Sequence, residues 1–128
     1  MSQTLSPEKR VLVGASIDPD LLEESYVYVH CSFSIPSPDV LIRIWKTTVL
    51  KDCHSPGQSQ LVHAENISYA PEWTIIPDTG AYSFLLIFTA LPKSCTLFDL
   101  VEEIPQPGGF LVRNIRRNRS DVYRVTLA

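Results

Sequence analysis

The side chains able to do chemistry in this 128-residue chain fall into four groups, each to be weighed against ordinary folding work. Cys53 and His54, with His63 nine residues beyond, offer a sulfur and two imidazoles, a donor set that could hold zinc or pair a thiol with an imidazole. Their spacing matches no zinc-binding pattern, and the polar loop "KDCHSPGQSQ" gives them solvated or structural roles, so no metal is expected. Cys95 follows Lys93 in "LPKSC", where a nearby ammonium would lower the thiol pKa and raise its reactivity. The plainer reading is an inert thiol.

Arg113, Arg116, Arg117, Arg119 and Arg124 set five positive charges against the single negative Asp121 in the last nineteen residues. On a hairpin some of these guanidiniums share a face, which could present a fork-like patch to a carboxylate or phosphate. A solvated hairpin, paired with the acidic amino-terminal segment of its own or a second copy, is the simpler account. The fourth group is aromatic. Tyr26 and Tyr28 fall on the polar side of their segment, and Trp45 and Trp73 fall near segment ends. Such rings serve protein interfaces and sugar platforms, and packing of both tryptophans in the core is the plainer alternative.

Other sites are not visible. There is no G-x-S-x-G, no glycine-rich phosphate loop, no H-E-x-x-H and no acidic calcium loop, and five glycines leave little backbone to cradle a phosphate. No catalytic residue and no cofactor are expected, although scattered residues can assemble a site that one sequence hides. The net charge of −3 speaks against nucleic acid as a partner, and the basic stretch lacks the aromatic platform of single-strand binders.

Whatever these groups do, strands must position them. Period-two alternation with turn residues recurs along the chain, and helical patterning is almost absent. In "SYVYVHCSFSI" the residues Val27, Val29, Cys31, Phe33 and Ile35 point one way and Tyr26, Tyr28, His30, Ser32 and Ser34 the other. "VLIRIWKTTVL" reads as a second long strand, "QLVHAENISYA" as a third, and "TIIPD" as a short edge strand. "YSFLLIFTAL" suits a central strand covered on both faces, and "TLFDLVEEI" follows the proline at 92. "GGFLVRNIRR" and "DVYRVTLA" are joined by the polar "NRS", as in a hairpin. Leu12 and Val13 begin the first strand, and "PDLLEES" could make one helical turn with Asp20 or Ser25 as its cap. Seven to nine short strands with ten prolines in breaking positions give an all-β fold, an antiparallel sandwich of immunoglobulin-like topology.

The chain length predicts one domain spanning residues 1–128 that buries roughly two-thirds of its extended surface, enough for a core without staples. Nothing like a secretory signal opens the sequence, and three cysteines are an odd count, so reduced thiols and a cytoplasmic setting are expected. The longest apolar run, "FLLIF", is far below the span of a bilayer, so no membrane insertion is expected.

The stretch "YSFLLIFTALPKSCTLFDLVEE" resembles the signature of a poorly characterised bacterial β-sandwich accessory module: a strand, Leu-Pro-Lys, a short spacer, then Phe-Asp-Leu, an apolar residue and Glu. Phe88, Leu91, Pro92, Lys93, Phe98, Asp99, Leu100 and Glu102 match it, "GGFLVRNI" looks like its following strand, and about half the chain is covered. The resemblance implies a binding or structural role and no catalytic residue. The residues agree, since a carboxylate at Asp99 beside a turn can cap backbone N–H groups. The expectation is therefore a non-enzymatic protein-interaction or assembly module, able to self-associate as an oligomer, with Arg113, Arg116, Arg117, Arg119, Tyr26, Tyr28 and Trp73 as contact residues. A sandwich binding carbohydrate or an acidic small molecule is the alternative, and an enzyme the third reading.

Overall fold

Alternating apolar and polar residues become nine strands in residues 25–127, the part of the chain that the computed structural model describes. They are β1 (Val27–Ile35), β2 (Val40–Ile42), β3 (Thr48–Asp52), β4 (Gln58–Glu65), β5 (Thr74–Ile76), β6 (Gly80–Phe88), β7 (Leu97–Glu102), β8 (Leu111–Arg116) and β9 (Val122–Thr126). The strand expected at Leu12 and Val13, and the helical turn with Asp20, lie outside the described residues. Seven strands make one sheet in the order β8-β7-β3-β4-β6-β1-β9, and β2 and β5 form a separate two-stranded ribbon. The all-β expectation holds. A wholly antiparallel arrangement does not, because β9 lies parallel to β1 while the other strand pairings described are antiparallel.

The sheet turns a corner at β4. Gln58–Gln60 pair with β3, whereas Leu61–Glu65 pair with β6, and the register slips between Leu61 and His63. Val62 is the inserted residue of this bulge and stands exposed, so the strand bends where it changes partners. Val27, Val29, Leu86 and Phe88 on one side of the corner meet Leu50, Phe98 and Leu100 from the other, all wholly buried. β6 is central as expected, yet Leu85 and Ile87 on its outer face are only half-buried, so it is not covered on both faces.

Two expected elements are replaced. "VLIRIWKTTVL" is not one strand: after β2, Ile44 drops into the core and bridges Tyr69. A turn then closes from Trp45 to Thr48, whose N–H and hydroxyl both donate to the Trp45 carbonyl, at 3.0 and 2.7 Å. Threonine fits a strand equally well, so the alternation hides this hydroxyl-closed turn.

The carboxy-terminal hairpin is also absent, since β8 pairs with β7 and β9 with β1. Residues 117–121 instead connect the two ends of the seven-strand order. A flat seven-stranded sheet would separate its edges by about 29 Å at ~4.8 Å per strand. The link from Arg116 to Val122 reaches about 22 Å at most. The sheet must therefore curl towards a barrel, and Tyr123 on β9 packs edge-to-face on Phe98 of β7 at 5.0 Å, sealing the seam.

Candidate functional site

The β2-β5 ribbon carries the most concentrated exposed apolar surface. Leu41 and Ile75 are directly opposed across it and are 49% and 63% exposed. Neighbouring cross-strand side chains share a face, and each ribbon strand here spans only three residues, too few to turn that face inward. Continuing the register by one step past Ile42 and Thr74 opposes Arg43 to Trp73. The Arg43 guanidinium lies 3.9 Å from the Trp73 ring centroid and 5.3 Å from that of Trp45, and it donates to the Pro71 carbonyl at 3.3 Å. Such a contact ties both rings to one guanidinium and contributes about 0.5–1 kcal/mol when exposed. Trp73 remains half-exposed. Asp39, Glu72 and Asp78 stand exposed around this face. Of the two nearby cations, Arg43 covers the tryptophans and Lys46 lies 5.1 Å from the Tyr69 ring centroid.

Beside the ribbon opens a cleft of about 330 Å³. Arg43, Trp45 and Trp73 make one wall, Ile104, Pro107 and Phe110 of the β7–β8 turn the other, and Phe33 and Phe84 line it from β1 and β6. Glu102 also lines it and is the cleft's carboxylate. Burial raises its pKa above the ordinary glutamate value, against the lowering pull of the Phe110 and Trp45 N–H groups and of Arg43. One of its oxygens accepts from Trp45 N–H and the other from Phe110 N–H, each at 3.4 Å. With both oxygens engaged by the backbone, Glu102 clamps the β7–β8 turn to the start of the Trp45 turn. The turn's tightness needs glycine, since a Cβ on Gly109 would sit 2.2 Å from the Glu102 carbonyl oxygen.

The structure disperses the residues that the sequence marked. Arg113 and Arg116 stand exposed on β8, Arg119 is exposed in the following connection, and these three join no ion pair among the described residues. Arg117 was expected among the exposed fork donors, and that assignment is corrected. Its side chain is only 19% exposed and binds both Asp121 oxygens, at 2.6 and 3.0 Å. It also donates to the carbonyls of Pro92 and Cys95, at 2.9 and 3.2 Å, and the Tyr123 hydroxyl completes the cluster on Asp121 at 2.8 Å. Tyr26 is exposed and Tyr28 half-buried at the β1-β9 end of the sheet order. Trp73 belongs to the ribbon, with Trp45 half-buried across Arg43. Leu41, Arg43 and Ile75 were missed. Their signal was "LIR" alternation with "WTIIP", which looks the same whether the ribbon's outer face is covered or bare.

The cysteines separate as well. Cys95 is buried, and its pKa is raised first by that burial and then by Asp52, as suits an inert thiol and opposite to the lowering that a nearby ammonium would give. Cys31 is pushed up to about 12 by burial in the core. Cys53 is exposed and donates to Asp99 at 3.5 Å, while His63 pairs with Glu65 at 3.2 Å on β4. Among the described residues no group of three such side chains could hold a metal ion. Asp99, expected to cap a turn, lies within β7 and instead accepts the N–H of Asn114 on β8, at 2.9 Å, where Asn114 takes a left-handed backbone (φ 60°) in the β7–β8 register slip. No helix among the described residues is long and apolar enough to cross a membrane.

No protein-family model, curated protein or solved structure matches the chain.

Proposed function

We propose that this protein is a non-enzymatic protein-interaction module, acting inside the cell, whose contact surface is the outer face of the β2-β5 ribbon. The observation that carries the reading is the bare cross-strand pair Leu41 and Ile75, continued by the half-exposed Trp73. Burying two half-exposed aliphatic side chains contributes about 2 kcal/mol, and the half-exposed indole of Trp73 at one end of the ribbon adds the kind of anchor on which interfaces rely. The strand order is read as a variant of the immunoglobulin-like sandwich in which β4 is shared between two layers. The likeness of Phe88 to Glu102 to an accessory module points the same way.

Cross-linking followed by mass spectrometry tests the reading. Cross-links from a bound protein should fall on residues 39–46 and 72–78, and Leu41→Ser with Ile75→Ser should abolish them. Contacts that map to the Tyr26 and Tyr28 end, or that survive the double substitution, overturn it. The second reading, a carbohydrate or acidic small-molecule site, is favoured by the cleft alone, where Arg43, Trp45 and Trp73 face Glu102. It expects quenching or a shift of tryptophan fluorescence on titration with oligosaccharides or short carboxylic acids.

A further inference from the structure

We infer that the partner of the ribbon face is the β8 strand of a second copy of this chain, in a head-to-tail contact. This deepens the interaction-module reading and rests on it. Two surfaces of one molecule are complementary in charge, each around an exposed apolar centre. The ribbon presents exposed Leu41 and Ile75 between acids at both ends: Asp39 and Asp78 beside the Val40–Ile76 pair, and Glu72 beside Trp73. Its own cations are turned onto aromatic rings. β8 presents the opposite pattern, with Leu111 46% exposed and followed by exposed Arg113 and Arg116, and with Arg119 just beyond. β8 pairs only with β7, so this basic, partly apolar strand is an edge of the sheet. The acid nearest it, Asp99, is engaged by the N–H of Asn114 and by Cys53. β8 begins at Leu111 and spans about 20 Å, so with Leu111 on the Leu41–Ile75 pair the strand runs out past one end of the ribbon and brings Arg113 and Arg116 to the acids there.

The two surfaces belong to different elements, so the contact is heterologous and repeats from copy to copy as a ring or a filament. Its small apolar centre and exposed ion pairs make it salt-sensitive.

The test is a charge exchange read by sedimentation velocity, with circular dichroism as the check of folding. Glu72→Lys with Asp78→Lys makes the ribbon basic, and Arg113→Glu with Arg116→Glu makes β8 acidic. Asp39 is left alone because its backbone is left-handed (φ 61°), a conformation that Asp tolerates better than Lys. The wild-type protein should associate as its concentration rises and dissociate in high salt. Each exchanged variant alone should associate about a hundredfold more weakly, as like charges now face each other. A mixture of the two should recover assembly at one-to-one stoichiometry, which general loss of structure cannot produce. If an exchanged variant fails to fold, Glu72→Gln with Asp78→Asn replaces the ribbon pair and Arg113→Gln with Arg116→Gln the strand pair. Each should weaken self-association by about tenfold. A wild-type protein that stays monomeric overturns the inference and leaves the ribbon reading to the cross-linking result. Self-association indifferent to both exchanges overturns the inference alone.

Discussion

Arg116 and Arg117 are neighbours of the same type with unlike work. Arg116 points to solvent, and its replacement by Ser should change stability by less than about 0.5 kcal/mol. Arg117→Ala strands Asp121 and the carbonyls of Pro92 and Cys95 in a largely buried setting, so it should cost about 3 kcal/mol by urea denaturation, with Arg117→Lys recovering only part. The Pro92 and Cys95 carbonyls of "LPKSC" therefore serve folding, as acceptors for a guanidinium. The thiols follow the same logic. A thiol reagent should label Cys53 alone in the native protein and all three cysteines after denaturation, because Cys31 and Cys95 are buried and their thiolates disfavoured. Glu102 gives a pH signature. Its folded pKa lies above the ordinary value, so the stability it contributes is full below the unfolded pKa and lost as pH rises through the folded one. Urea midpoints measured across the mildly acidic range should show that fall, and Glu102→Gln should flatten it.

Elements add constraints that no single side chain carries. β9 supplies the parallel partner of β1 and places Tyr123 against Phe98, so deleting residues 122–128 should unfold the domain by circular dichroism. The β7–β8 turn has its own requirement at Gly109. Gly109→Ala would push a methyl into the Glu102 carbonyl, moving the turn that walls the cleft. The expected readout is a lowered thermal midpoint together with altered Trp45 fluorescence, since the Trp45 N–H shares the same carboxylate. Most strands were legible beforehand, because β1, β4, β5, β7, β8 and β9 carry alternation or breaking residues that act locally. The break at Ile44 was not, because its cause is a tertiary hydrogen bond from Ile44 N–H to the Ser68 carbonyl, reinforced by a threonine-closed turn.

At the scale of the whole molecule, the curl of the seven-stranded sheet decides which surfaces exist at all. Linking β8 to β9 through residues 117–121 removes the hairpin on which the arginines would have shared one patch. It leaves Arg113 and Arg116 on one edge strand and Tyr28 beside Val122 at the other end of the order. The same closure leaves the ribbon as a small separate sheet with an apolar outer face, which makes it the proposed contact surface. The amino-acid sequence by itself determined the all-β class, the inward set of β1 and the approximate strand positions. Each follows from side-chain period or from breaking residues that act locally. Only the tertiary structure decided which strands pair, that β9 runs parallel to β1, that Arg117 is held in an interior ion pair and that Leu41 and Ile75 stay bare. Pairing and burial depend on residues far apart in the chain, and an alternating segment reads the same whichever neighbour covers it.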